Sequence, residues 1–163
     1  MKAALCTKYG PPDVIQIQEI KKPTPKDNEI LIRVVASTVQ TADCKVRDLI
    51  NTAKLNYNPI IKLAMQIFMG YNRPRNPVFG TEFCGKIEAV GKNVTKHKVG
   101  DEIIVMTDIK MGAHAEYVVW KEGKKTINKP GNITSEQAAA LPFGGTTALY
   151  FLKSLWSTCP LPQ

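Results

Sequence analysis

Asn76-Pro77-Val78-Phe79-Gly80-Thr81-Glu82-Phe83-Cys84-Gly85-Lys86-Ile87-Glu88-Ala89-Val90-Gly91 is the stretch that decides how this chain is read, with Val94, Val99, Gly100 and Asp101 following at short range. Gly80 to Lys86 has the G-x-x-x-x-G-K spacing of a phosphate-binding loop, but the chemistry fails. Ile87 stands where such a loop needs a hydroxyl for Mg²⁺, and Glu82 would set negative charge in the phosphate cradle. Residues 87–90 favour a strand, whereas that loop must open into a helix whose N-terminus faces the anion.

Outward from this block, short apolar runs alternate with Pro, Gly and Asn-Asp punctuation from Met1 to about Lys121, the pattern of a barrel or sandwich. Residues 14–18 alternate, and Pro23 and Pro25 end the run. Residues 29–37 are more continuously apolar, with Ile30, Ile32 and Val34 facing one way and Leu31 and Val35 the other, which predicts a central strand buried on both faces. Residues 87–90, 102–106 and 115–120 give three further strands, with Gly91-Lys92-Asn93 and Gly100-Asp101 as turns between the first two. A short helix over 41–49 and a longer one over 59–69, ending at Gly70, would lie over the barrel.

After Pro130 the character changes. Thr134-Ser135-Glu136-Gln137 fits a capping box opening a helix through Leu141, and residues 144–156 carry Leu149, Leu152, Leu155 and Trp156 at helical spacing until Pro160. The chain divides into a β-rich unit, 1–133, and a helical exit, 134–163.

At 163 residues and 44% apolar composition there is material for one core. The formal charge of +8 favours phosphate-bearing partners, but the lysines are scattered and not interleaved with aromatics, so no nucleic-acid partner is expected. The apolar run Ala3 to Cys6 is too short for a signal peptide. The longest uncharged stretch, 138–152, holds Pro142 and Gly144-Gly145 and falls short of the roughly 20 residues that span a bilayer. A cytoplasmic protein without a membrane partner is the expectation. Cysteines at 6, 44, 84 and 159 form no Cys-x-x-Cys pair and read as free thiols.

The block at 76–91, with Val99-Gly100-Asp101, resembles the G-[HT]-E-x-x-G-x-[IV]-x-x-V-G…V-G-D segment of the medium-chain dehydrogenases/reductases. The likeness extends to Met1-Lys2-Ala3, to 25–39, to Gly112-Ala113-His114-Ala115-Glu116-Tyr117, and to Ala138-Ala139-Ala140-Leu141-Pro142 leading to Thr147-Ala148-Leu149. It implies a mainly β fold with flanking helices, a GroES-like partly open β-barrel whose C-terminal helices lead toward a Rossmann domain. The eleven glycines contain no G-x-G-x-x-G, so that domain is expected to be absent and the chain to be a truncated half, nearly inactive alone. An exposed C-terminal helix then predicts homo-oligomers.

Zinc-dependent members of the family bear a cysteine at the position of Gln40 and a histidine at that of Thr81, and neither residue here is a good Zn²⁺ ligand. No four-cysteine lobe follows Met106. The resemblance therefore implies the zinc-independent branch, similar to quinone oxidoreductases and enone reductases, with NADPH as cofactor, no metal, and a small quinone or carbonyl compound as substrate. In that branch an amide, usually asparagine, stands where Gln40 does in Val39-Gln40-Thr41-Ala42-Asp43, and can donate a hydrogen bond to an oxygen that gains charge as hydride arrives. Gln40, Thr81 and Glu82 form the candidate catalytic set; Thr41, Asp43 and Thr147 are the candidate cofactor contacts.

The residues by themselves also permit plainer roles. Gln40 can end a strand, Thr147 can bond back to its own helix, and Glu82 and Asp43 can pair with Arg47 or backbone amides. His97 and His114 lack a third ligand at metal-site spacing and read as surface or packing residues, and Cys44 and Cys84 as inert thiols near the cleft. A non-enzymatic GroES-like binding module is the alternative to an enzyme.

Overall fold

The structure, a computed structural model, describes residues 1–49, 59–107 and 110–158. The described strands are β1 (Lys2–Cys6), β2 (Ile15–Glu19), β3 (Glu29–Ser37), β4 (Glu82–Val90), β5 (Glu102–Met106), β6 (Tyr117–Lys121) and β7 (Thr126–Asn128); the helices are α1 (Thr41–Arg47), α2 (Pro59–Met69) and α3 (Ser135–Thr158). β1 and β2 pair antiparallel, and the remaining strands form one antiparallel sheet in the order β6-β3-β4-β5-β7. Isolated bridges Ala3–Ala115 and Leu5–Val78 tie β1 to the segments that precede β6 and β4. Among the described residues β6 and β7 are edges that do not pair, so the sheet is not a closed barrel.

Alternation aims Ile30 and Ile32 of β3, Phe83 and Ile87 of β4, Ile103 and Val105 of β5, and Val118 and Trp120 of β6 into one core. Truncating one such side chain, Phe83→Ala, would cost about 3–5 kcal/mol. The two-faced burial expected along 29–37 holds only over Ile30, Leu31 and Ile32; Val35 is 47% exposed where the cover runs out.

β4 begins at Glu82, well before residue 87. Phe83, Cys84 and Gly85 are paired with Ser37, Ala36 and Val34 on one side and with β5 on the other. Gly85 within this strand serves close approach: a Cβ there would lie 2.6 Å from the Arg33 carbonyl oxygen. β6 starts at Tyr117 rather than 115, β2 is exposed along its whole length, and β1 and β7 were not foreseen.

The C-terminal segment is one continuous helix rather than two. Its cap is as expected, with the Gln137 N–H donating to the Thr134 hydroxyl (3.2 Å) and the Thr134 N–H to the Gln137 side chain (3.0 Å). Ala138 and Ala139 bury against Cys84 and Ile104, which pins the first turns of α3 to the sheet. Pro142 interrupts the intrahelical ladder without ending the helix. Beyond it Phe143, Leu149, Tyr150, Phe151 and Leu152 are exposed, and the tail at 159–163 lies outside the described residues. α2 matches its expected span, and Met69 at its end packs on a cluster of Cys6, Val14, Val46, Phe79 and Met111. None of the described helices is long and apolar enough to cross a membrane.

Candidate functional site

The end of β3, the start of α1, the start of β4 and the Pro142 turn of α3 converge on Glu82, which is 2% exposed. Its Oε1 accepts the Thr38 hydroxyl at 2.7 Å and the Gln40 amide Nε2; its Oε2 accepts the Phe143 N–H at 2.9 Å. These three donors are neutral. A buried carboxylate persists only when its lone pairs are filled, and here two segments far apart in sequence, 38–40 and the Pro142 turn, supply the donors.

β3 has already ended at Ser37, so Gln40 does not terminate a strand; it caps the N-terminus of α1. Asp43, also buried, accepts the Gln40 N–H on Oδ2 (2.8 Å) and the Gly80 N–H on Oδ1 (3.0 Å), clamping the first turn of α1 to the turn before β4. Arg47 instead donates its Nε to the Gly10 carbonyl (3.2 Å). Gly80 has φ +96°, and a Cβ there would lie 2.7 Å from both the Ala113 Cβ and the His114 Cδ2, so the turn admits only glycine without strain.

Three residues outside the candidate set complete the arrangement. Thr107 donates its hydroxyl to the Gly80 carbonyl (3.1 Å) and its N–H to the Thr81 carbonyl (2.7 Å). The His114 Nε2 lies 3.0 Å from the Thr38 carbonyl, which can only accept, so Nε2 is the donor. Thr38 thus faces Glu82 with its hydroxyl and His114 with its carbonyl. Sequence reasoning singled out neither Thr38 nor Thr107, and read His114 as a surface or packing residue.

The structure brings Gln40, Asp43, Thr81 and Glu82 together, with Thr41 exposed on the first helical turn beside them. The Thr81 hydroxyl is buried without a partner among the described residues. Thr147 lies one turn beyond Phe143 on α3 and is exposed; it is Thr146 whose hydroxyl bonds back, to the carbonyls of Pro142 and Phe143. Next to Pro142 runs an apolar groove of about 380 Å³, lined by Ile104, Met106, Ile127, Leu141 and Leu149 among others. Cys84 is buried, and burial pushes its thiol above the ordinary range, whereas Cys44 is exposed. Among the described residues no three His, Cys, Asp or Glu side chains are placed to hold a metal ion.

The chain matches the alcohol dehydrogenase GroES-like domain over residues 26–163. It is similar to the quinone-oxidoreductase homolog, chloroplastic, of Spinacia oleracea, with 29% identity over 140 residues that cover 85% of this chain and 37% of the spinach protein. Among solved structures, the quinone oxidoreductase from Coxiella burnetii superposes with a TM-score of 0.72 at 26% identity, covering 94% of this chain and 44% of that one. The Escherichia coli quinone oxidoreductase complexed with NADPH superposes with a TM-score of 0.70 at 26% identity, covering 93% and 40%. The chain therefore spans roughly two fifths of the length of these relatives.

Proposed function

Because this chain belongs to the alcohol dehydrogenase GroES-like domain family, we propose that it is the substrate side of an NAD(P)H-dependent, cytoplasmic oxidoreductase that delivers hydride to a quinone, enone or related carbonyl compound without zinc. Residues 1–133 form that side, and 134–163 are the exit toward a dinucleotide-binding domain. The observation that carries the reading is the Gln40 amide fixed by the buried Glu82 carboxylate. A carboxylate only accepts, so the amide must turn its NH₂ toward Glu82, and the second N–H of the same nitrogen is left to face a substrate oxygen. Such a donor is set before the reaction and acts on the charge that develops as hydride adds. The buried, unpartnered Thr81 hydroxyl is the natural second donor.

NADPH, when bound, supplies the hydride. Thr41 and Thr147 offer it exposed hydroxyls, while Asp43 has both oxygens engaged by backbone N–H groups and acts by fixing the turn that carries Thr41. The sequence holds no glycine-rich turn for the pyrophosphate, so this half positions the acceptor more than it binds the cofactor. Zinc does not fit the residues: Gln40 and Thr81 are poor ligands, and Glu82 is spent on three hydrogen bonds.

The test is steady-state reduction of a small quinone by NADPH in the presence of a chelator, using the chain extended by a dinucleotide-binding domain. Gln40→Ala should lower turnover roughly 10²-fold; unchanged turnover would reduce Gln40 to a helix cap. The 163-residue chain alone should leave NADPH essentially unoxidised, and robust oxidation by it would overturn the division of labour.

A further inference from the structure

α2 turns its apolar stripe away from the protein. Ile60, Leu63, Ile67 and Phe68 are 54 to 75% exposed, and Ala64 between them is exposed as well. At 100° per residue these five positions fall within an arc of about 140°, the width of a face that an amphipathic helix ordinarily buries. The stripe runs directly into Tyr71, 68% exposed, and a loop bearing Arg73 and Arg75. Both arginines are exposed, and neither guanidinium has a hydrogen-bond or ion-pair partner among the described residues. The loop is held in shape from below: the buried Tyr9 hydroxyl lies 3.1 and 2.9 Å from the Met69 and Gly70 carbonyls, and the Arg75 N–H donates to the Met69 carbonyl at 2.9 Å.

The charge of this segment of the sequence has one sign. Between Asp48 and Glu82 the sequence carries Lys54, Lys62, Arg73 and Arg75 and no acidic residue. An apolar stripe beside aromatic and cationic residues matches a surface that is greasy inside and negative outside. It does not match nucleic acid, which offers the stripe nothing. It does not match a second copy either, because a twofold interface would set this cationic segment against itself.

We propose that α2 and the loop at 70–75 form a contact with anionic lipid bilayers. The helix lies in the headgroup layer with its stripe toward the acyl chains, Tyr71 sits at the boundary, and Arg73 and Arg75 meet lipid phosphates. Eleven residues make a helix of roughly 16 Å, about half the hydrocarbon thickness, so α2 rests on the membrane and does not span it. The expectation of no membrane partner rested on the lack of a span, and a surface-lying helix needs none. The proposal does not depend on the assigned reaction.

The test is flotation of the 163-residue protein with vesicles of phosphatidylcholine alone or with about one third phosphatidylglycerol, choosing a mixture typical of anionic surfaces. The protein should float with the anionic vesicles, not the neutral ones, and salt should release it. Arg73→Ala with Arg75→Ala should lower partitioning by roughly 30-fold, about 5-fold for each cation. Leu63→Glu with Phe68→Glu should abolish it, and Phe151→Glu on α3 should leave it intact. Unfolding midpoints of all variants establish that each is folded, and the arginine pair reads the contact even if the glutamate pair perturbs α2. The proposal fails if folded protein ignores anionic vesicles, binds neutral ones equally, or loses binding through Phe151→Glu alone. It also fails if Leu63→Glu with Phe68→Glu dissolves an oligomer in light scattering while flotation persists, since a second copy would then cover the stripe.

Discussion

Glu82 and Glu88 stand on the same strand, β4, and face opposite conditions. Glu82 lies beneath α3 and takes hydrogen bonds only from neutral groups; Glu88 lies in solvent, bonded to Lys22, whose ammonium also sits 3.7 Å from the centre of the Tyr117 ring. The Lys22 hydrogen bond holds the Glu88 carboxyl below the usual carboxylate range. The difference between the two ends is the cover. Ala138 and Ala139 lie over the Cys84 stretch, and an oxygen acceptor trapped there must find its donors within the protein. At the Glu88 end water competes with every partner, and the ion pair adds little.

The largest effect that sharpens this contrast is expected for Glu82→Leu. It strands the Thr38 hydroxyl, the Gln40 amide and the Phe143 N–H at once, and should cost about 3–5 kcal/mol in urea unfolding. Amide exchange at Phe143 should speed up in the same variant. A cost no greater than that of Glu88→Gln would erase the distinction between the two ends.

A second probe uses the cysteine beside each kind of surface. Native-state labelling read by site-resolved mass spectrometry should modify Cys44 faster than Cys84 by on the order of 10²-fold or more, because Cys84 reacts only after local opening. The Cys84 thiol is raised above its ordinary value of 9.0, first by burial. Stability should therefore hold below that value and decline as pH rises from it toward the higher folded pKa, and Cys84→Ser should flatten that decline. Equal labelling of the two thiols would mean that α3 does not seal the Glu82 end.

The smallest effect belongs to Glu88→Gln. Its unfolding midpoint should barely differ from the parent near neutral pH, and any difference should vanish in about 0.5 M salt. Because the Glu88 carboxyl is lowered in the folded protein, what it contributes is present above the ordinary carboxylate pKa and disappears as pH falls through the folded value. A large neutral-pH loss would show that this end is not simply solvated.

The fold was legible where local chemistry repeats a known pattern. The Thr134 capping box, the strand over 87–90 and the alternation that buries Ile30 and Ile32 all appear in the structure, whereas the start of that strand at Glu82, which buries Phe83, was not read. Pro142 misled, because a proline whose neighbouring N–H finds an outside acceptor interrupts the ladder without stopping the helix. The candidate site was legible as residue types but not as a network. Nothing near Glu82 in sequence says that its donors come from positions 38, 40 and 143, since burial under a helix some sixty residues later decides it. Thr38, Thr107 and His114 were missed for the same reason: their bonds are fixed by tertiary approach to Gly80 and Glu82, not by spacing.

The pairing of β3 with β4 also sets the order in which the chain assembles. Ser37 meets Phe83 and Ile30 meets Val90, so residues 38–82 must be looped out before this pair makes its first contact. β1 with β2, and β4 with β5 across 91–101, close far shorter segments and form earlier. Capture of β3 by a preformed β4–β5 ribbon is then the slow step of refolding. Loop-closure entropy grows only logarithmically, about 0.6 kcal/mol per doubling, so halving the segment between β3 and β4 should change the refolding rate in stopped-flow by less than roughly 3-fold. Ile32→Val, at the seam where β3 docks, should slow refolding more than an equally destabilising change in β7.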